Sequence, residues 1–331
     1  MAPSRVISRA EPVVVPNGVT SPPLRASRLP SSLRFPIVVV LSFSIRSMLL
    51  STAANFLGEE LGNISRREDD PYRVGGFLAY KVLVLWAGWH LNYDFLDISS
   101  LTIVANAPFA YLLTNYYQIS PLTISANVLA DLISVALPTF LLRRRSAVHD
   151  SKAPLPNRFL LNSFQVQTST ALMTVGTYVA VIWAALQAQQ LNEFLVSHFE
   201  IPTLELAHKE TPFTLIAKLL PVGLAAKGFL LNPSIGAQPA SGTATPIAPF
   251  DPAVASLPET IEHNFWSFSK RTKTLIGQTA VLSAFILANT VQRVMTVRGT
   301  DVSGAAGYAG IWVVATVVTA GWSAWVADTE S

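Results

Sequence analysis

A polar face runs along the fourth apolar segment of the chain, residues 121–142. Its polar residues, Thr123, Asn127, Asp131 and Ser134, recur at intervals of four, four and three residues. Residues at this spacing share one face of an α-helix. Asp131 lies at the centre of the segment, where a charge in lipid costs about 2.5–3.5 kcal/mol and therefore needs a reason. The pattern predicts the wall of a solute or proton path, with Asp131 as its titrating group.

A second charge lies equally deep in the first apolar segment. Arg46 occupies the middle of the stretch VVVLSFSIRSMLLSTAANFL. An arginine at this depth can line the same path as Asp131. Alternatively, it can neutralise Asp131 in a buried pair while the other polar side chains join helices through hydrogen bonds. Both alternatives predict that Asp131 faces protein rather than lipid.

A third ionisable group, consisting of His90, Asp94 and Asp97, lies around the end of the second apolar segment. An Asp-x-x-Asp pair can hold Mg²⁺ together with a diphosphate. Its spacing is similar to that of the Asn/Asp-rich first motif of membrane prenyltransferases, but no second acidic cluster ends another apolar segment. The alternative is structural: Asp97 begins the third helix by accepting hydrogen bonds from its first free amides.

The composition of the chain indicates a membrane protein. Of its 331 residues, 50% are hydrophobic and only 13% are charged, whereas a soluble domain carries about 25% charged residues. The mean hydropathy is +0.41. There is no cysteine, which excludes disulfides, thiolate metal sites and cysteine nucleophiles. We therefore predict an all-α fold, a polytopic transmembrane helix bundle.

Eight apolar segments approach the roughly 20 residues that a helix needs to cross a bilayer. Backbone groups must be satisfied within lipid, so these segments are predicted to be helices. Lys218, Pro221 and Lys227 interrupt the sixth, and a re-entrant sixth segment would leave seven spans. Lys81 and these two lysines are expected to reach back to the interface. The segments are Phe35–Leu57, Gly76–Tyr93, Ile98–Tyr117, Pro121–Leu142, Ser169–Gln187, Pro212–Leu231, Leu275–Gln292 and Tyr308–Val326.

Proline-rich stretches divide the chain into regions. Residues 1–34 form a basic tail and residues 232–274 a linker, both predicted to be disordered because prolines break helices and little apolar surface can be buried. The remaining regions are four spans (35–142), a basic loop (143–168), two spans with a surface helix between them (169–231), and two spans with a short tail (275–331).

Most lysines and arginines between the spans fall on the side that carries both termini, including Arg143, Arg144 and Arg145. The positive-inside rule places that side in the cytosol. Asn63, in Asn-Ile-Ser, then becomes a glycosylation candidate in a lumenal loop. These features indicate the endoplasmic reticulum or another endomembrane. The acid-poor, Arg-rich tail also fits the inner mitochondrial membrane.

Three functions fit this architecture. The first, which the central polar face favours, is a transporter-like protein for a small molecule or lipid. The second is a non-catalytic scaffold that recruits protein partners through residues 1–34 and 232–274. The third is a Mg²⁺-dependent intramembrane enzyme acting on a lipid or isoprenoid at Asp94 and Asp97.

The usual catalytic and phosphate-binding motifs are absent. No catalytic residue, resident metal or cofactor is therefore predicted, and an enzyme is the less favoured interpretation. The basic residues lack interleaved aromatics, which argues against nucleic acid, and the expected partner is the lipid bilayer.

Overall fold

The structure, a computed structural model, describes residues 30–57, 60–66, 71–155, 157–188, 190–237, 256–257, 260 and 268–328. Among these residues all assigned elements are α-helices, and β pairing is limited to two isolated bridges. This confirms the predicted all-α helix bundle. The predicted disordered tail, up to residue 29, and most of the predicted linker after residue 237 lie outside the described residues.

Eight long helices make up the bundle in the described part of the chain, and four short helices lie in its connections. The long helices are α1 (Ser31–Leu57), α3 (Pro71–His90), α4 (Phe95–Asn115), α5 (Pro121–Leu142), α7 (Phe164–Gln187), α10 (Pro212–Ala237), α11 (Lys270–Val294) and α12 (Val302–Asp328). The short helices are α2 (Glu60–Ile64), α6 (Arg158–Asn162), α8 (Gln190–His198) and α9 (Glu205–His208). Helix α8 occupies the position of the predicted surface helix.

The connections between the long helices alternate between the two ends of the bundle. At the first end, Ser65 pairs with Val297, and Phe199 pairs with Thr300. At the second end, the loop after α5 forms hydrogen bonds to the turn between α3 and α4. Helix α3 begins at the first end and finishes at the second, so it crosses the bundle as the other long helices do.

Seven of the long helices are long and apolar enough to cross a membrane, and α3 is the long helix that does not meet this criterion. The sixth segment, which we expected to be the weak one, forms the continuous helix α10 even though Pro221 and Pro233 lie inside it. Neighbouring helices and side chains can satisfy the backbone groups that a proline frees. The second segment is the less apolar one because Lys81, His90 and several glycines and tryptophans dilute it.

Several boundaries differ from those expected. Residues 232–237 belong to α10 rather than to a linker, because Ser234 and Ile235 are buried against the bundle and continue the helix past Pro233. The basic loop is shorter than 143–168. It contains α6, and α7 begins at Phe164, where the Ser163 side chain accepts a hydrogen bond from the Val166 amide.

The packing of the bundle separates a core from an edge. Helices α4, α7, α10, α11 and α12 supply most of the large buried cluster. A close approach joins α10 to α7: a Cβ atom added at Gly223 would lie 2.8 Å from the Cα atom of Val175. Helix α1 packs along α5, and the main packing partner of α3 is α1. The pair α1 and α3 therefore forms an outer wall of the bundle.

Candidate functional site

Asp131 on α5 lies between two arginines from other helices. The Nε atom of Arg46 donates a hydrogen bond to Oδ1 of Asp131 at 2.6 Å, and Arg293 pairs with Oδ2. The side chains of Asp131 and Arg293 are 5% and 8% exposed, whereas that of Arg46 is 32% exposed. The structure thus brings together the two deep charges that the sequence singled out, and it adds a third.

Sequence reasoning misses Arg293 because it occupies the last turn of α11, where a basic residue is expected to mark a membrane boundary. Its side chain instead turns into the bundle. Nη1 donates a hydrogen bond to Oδ1 of Asn127 at 3.2 Å, and the guanidinium lies 5.1 Å from the centre of the Phe109 ring. Two polar acceptors one turn apart on α5, Asn127 and Asp131, were the signal for a partner beyond Arg46.

The remaining members of the polar face are held by other partners. Thr123 donates a hydrogen bond to Oε2 of Glu60 on α2 at 3.0 Å. The Ser134 hydroxyl donates to the backbone carbonyl of Asp131 at 2.8 Å. The face is therefore not a continuous row of free polar groups. The half of this face that lies nearer the first end of the bundle ties α5 to α2 and α11. The centre of the face opens onto a cavity.

A small cleft, with a volume of about 60 Å³, opens beside the Asp131 carboxylate. Helices α1, α3, α4, α5 and α11 contribute its walls. Its polar lining consists of Ser42, Arg46, Tyr80, Lys81, Thr102, Asn106, Asp131, Ser134 and Asn289, and the other lining residues are apolar. Ligand sites usually combine a few converging polar groups with an apolar wall, as this cleft does, but they enclose about 300–1,000 Å³. The cleft must therefore widen to admit a ligand of ordinary size.

Positive charge predominates at this cleft. Arg46, Lys81 and Arg293 are within electrostatic range of one another, and Asp131 is the acid among the lining residues. We expected Lys81 to reach back to the interface, but it lines the cleft. Among the described residues, none forms a hydrogen bond or an ion pair with its ammonium group.

Two asparagines join α4 to α11 at the wall of the cleft. Nδ2 of Asn289 donates hydrogen bonds to the carbonyl oxygen of Ala105 at 2.7 Å and to Oδ1 of Asn106 at 3.1 Å. Nδ2 of Asn106 in turn donates to the carbonyl oxygen of Thr102 at 2.9 Å. These bonds fix one wall of the cleft between two helices of the core.

At the second end of the bundle, Asp94 caps the N-terminus of α4. Its Oδ1 atom accepts hydrogen bonds from the amides of Leu96 and Asp97, both at 2.9 Å. Oδ2 of Asp97 accepts one from the Asp94 amide at 3.2 Å, which completes a capping box. The helix therefore begins one turn earlier than the expected cap at Asp97.

His149, which the sequence left in a loop without a role, completes this group. Its Nδ1 atom lies 2.9 Å from Oδ2 of Asp94, and the Ser146 amide donates to the same oxygen at 3.0 Å. Burial favours the protonated acid, but the hydrogen bonds from His149 and from backbone amides outweigh it and hold the pKa of Asp94 at about 2. Burial also opposes charge on the ring, yet the two carboxylates raise the pKa of His149 above its usual value. The group anchors the loop that follows α5.

Arg143 clamps the end of α3 to the same loop. Its guanidinium donates hydrogen bonds to the carbonyl oxygens of Gly88, Trp89 and Tyr93 and to Oδ1 of Asn92, at 2.6–3.1 Å. These acceptors include two carbonyls in the last turn of α3, where a cation is favourable. The expected member His90 is not part of this site. It stacks on Trp86, with 5.1 Å between ring centres.

Asp94, Asp97 and His149 offer ligand atoms within 4.8 Å of one another, a spacing that could hold a metal ion. However, three of the four carboxylate oxygens already accept hydrogen bonds from amides or from the imidazole. An incoming Mg²⁺ would have to displace the Ser146 amide and the His149 ring. The donor set therefore fits loop anchoring better than it fits a magnesium–diphosphate site.

The two other lysines that were expected to reach back to the interface have hydrogen-bond partners elsewhere in the chain. Lys218 contacts Oε2 of Glu210 and Oδ1 of Asn115, at 2.6 Å and 2.8 Å. The buried Lys227 bonds to Oε1 of Gln167. Asn63, the glycosylation candidate, is exposed on α2 at the first end of the bundle.

Comparison of the chain with family models, with curated proteins and with solved structures found no match in any of the three. Function is therefore inferred from the geometry of these sites alone.

Proposed function

We propose that the protein is a transporter-like membrane protein that admits a small molecule or a lipid to the cleft beside Asp131. The observation that carries this proposal is the cleft itself, because deep ionisable groups from α1, α3 and α5 converge on it. Ionisable residues at membrane depth commonly mark substrate or ion pathways.

A purely structural role accounts for only part of this charge. One arginine and one aspartate would form a neutral pair and would suffice to join two helices. Here Arg293 and Lys81 add two further cations near Asp131. Uncompensated charge is costly in a low-dielectric environment. The surplus is better explained by a ligand than by helix association.

The outer wall supports a path that can open. Helix α3 contributes Tyr80, Lys81 and Leu85 to the cleft, yet it packs mainly against α1. Its C-terminal end is held by Arg143. A helix clamped at one end and weakly packed along its length can swing away from the core, and transporters expose a central site by moving one group of helices against another.

The membrane is proposed to be the endoplasmic reticulum or another endomembrane, on the basis of the charge distribution between the helices. The scaffold alternative depends on residues 1–34 and 232–274, most of which lie outside the described part of the chain. A scaffold has no need of a cleft that solutes can enter. Access to the cleft therefore separates the two functions.

The experiment uses the absence of native cysteine. In the full-length protein, Thr102→Cys places a thiol in the cleft, and Leu129→Cys places one on the lipid-facing surface of α5, where Leu129 is 51% exposed. We expect a charged, water-soluble methanethiosulfonate reagent to modify Thr102→Cys at least about tenfold faster than Leu129→Cys, because only the thiolate in contact with water reacts. Equal, slow modification of both variants would contradict the proposed function.

A further inference from the structure

We infer that the ligand of the cleft is an amphiphile with an anionic phosphate or carboxylate headgroup, which enters from the bilayer between α3 and α11. This inference rests on the proposed function, since it names the ligand class of the same cleft. Three observations carry it: unused donors in the cleft, an apolar groove that continues from it, and the exposure of that groove.

The unused donors converge on one region. Nε of Arg46 is occupied by Asp131, but among the described residues no partner is recorded for its two terminal nitrogens. Within the described part of the chain, the ammonium of Lys81 also has no partner, and neither does the buried hydroxyl of Tyr80. A planar guanidinium fork and an ammonium are the usual ligands of phosphate and carboxylate groups.

The Asp131 carboxylate does not compete with a ligand for these unused donors. Both oxygens of Asp131 are paired, one with Arg46 and the other with Arg293. A cationic ligand would meet the surplus of positive charge, and a neutral one would leave that charge uncompensated. An anion satisfies them and lowers the repulsion among the three cations. Charge complementarity therefore selects a negatively charged group.

An apolar groove of about 180 Å³ continues from the charged cleft. The two share Tyr80, Val84 and Phe285, so the groove starts where the cleft ends. On α11 its lining includes Ala284 and Ala288, whose small side chains leave the space open. Apart from the Tyr80 hydroxyl, the side chains that line it are entirely apolar. A hydrocarbon chain is the complement of such a surface.

The groove faces the surface that lipid would cover. Leu83 lines it and is 56% exposed, and the flanking residues Trp86 and Leu287 are 48% and 42% exposed. A free anion dissolved in water would need the charged cleft alone. The pairing of charged cleft and lipid-facing groove indicates instead a molecule with an anionic head and an apolar tail, already dissolved in the bilayer.

Binding of three probes to the purified full-length protein in a non-ionic detergent tests this inference. We expect dodecyl phosphate to bind saturably, and dodecyltrimethylammonium and inorganic phosphate to bind at least about tenfold more weakly. Lys81→Gln should weaken dodecyl phosphate binding by about tenfold, because one charge-assisted contact is lost. Lys209→Gln, on the exposed surface, serves as the control and should leave the affinity unchanged. Equal affinity of Lys81→Gln and the parent protein would overturn the inference.

A second pair of variants tests separately whether the groove binds the apolar tail of the ligand. Ala284→Leu fills the groove, whereas Ala280→Leu places the same side chain on an exposed position of α11 outside it. We expect only Ala284→Leu to reduce dodecyl phosphate binding. If Ala284→Leu has no effect and inorganic phosphate binds as well as dodecyl phosphate, the inference that the ligand is an amphiphile is wrong. The cleft can then still admit a solute. Failure of Thr102→Cys to react with the methanethiosulfonate reagent would instead refute the proposed function itself.

Discussion

Arg46 and Asp131, 85 residues apart in the chain, are joined by a 2.6 Å hydrogen bond from Nε to Oδ1. The pair connects α1, at the edge of the bundle, to α5. Arg293 extends the connection to α11 by pairing with the other oxygen of the same carboxylate. Asp131 therefore fixes the relative positions of three helices around the cleft, and the two arginines neutralise its negative charge.

Removal of this acid should destabilise the protein strongly. Asp131→Leu leaves two arginines without a counter-charge inside the bundle, and the loss of one member of a buried ion pair typically costs about 3–5 kcal/mol. We expect a clear fall in the midpoint of thermal unfolding in detergent. Ser134→Ala is the matched control, because the partner of its hydroxyl among the described residues is the backbone of its own helix. It should change the stability by less than about 1 kcal/mol.

A double substitution distinguishes the pair from other roles of Asp131. If the pairing with Arg293 is what Asp131 stabilises, Asp131→Leu combined with Arg293→Met should be more stable than Asp131→Leu alone, because one uncompensated charge is removed. A double variant whose loss equals the sum of the two single losses would show that the two residues do not act together.

Substitution of Arg143 should loosen the C-terminal end of α3 without unfolding the bundle. Lysine cannot reproduce the planar fork that reaches four acceptors, so Arg143→Lys is not a conservative change. We expect faster amide hydrogen exchange over residues 86–93, measured by mass spectrometry. Arg144→Lys, at the neighbouring exposed position, should leave exchange there unchanged. Equal protection in the two variants would mean that Arg143 does not hold this end of the helix.

The Asp94–His149 contact should make the loop after α5 sensitive to pH. The raised pKa of His149 means that its charged form stabilises the docked loop below about pH 6.5 and that this contribution is lost as the pH rises through the folded-state value. The pKa of Asp94 is depressed, so the stabilisation that its carboxylate contributes is lost only at much lower pH, as the pH falls towards about 2. Docking is therefore strongest between about pH 4 and 6.5.

A nitroxide attached at Ser151→Cys would report this change by electron paramagnetic resonance. We expect the label to become more mobile between pH 6 and pH 9. Adding His149→Ala should make it mobile throughout and remove the pH dependence. An unchanged pH dependence after His149→Ala would assign the effect to another group.

The sequence allowed the helices to be predicted because apolar length and backbone satisfaction leave few alternatives in lipid. It also identified the deep charges Arg46 and Asp131 by their positions within apolar segments. It could not place Arg293 or His149, since both lie where a basic or polar residue is expected for topology. Their roles depend on which helix ends meet in space. Lys81 was misplaced for the same reason: depth along a helix does not reveal whether a side chain faces a cleft or the interface.

The central claim is that the cleft is a site through which a ligand passes, and labelling of Thr102→Cys from each side of a sealed vesicle tests it most directly. Ser151→Cys and His208→Cys mark the two ends of the bundle and report which side the reagent can reach. Since a transporter exposes its site alternately to both sides, we expect an impermeant thiol reagent to modify Thr102→Cys whether it is added outside or inside. Modification from one side only, or from neither, while both marker variants react as expected, would contradict the claim.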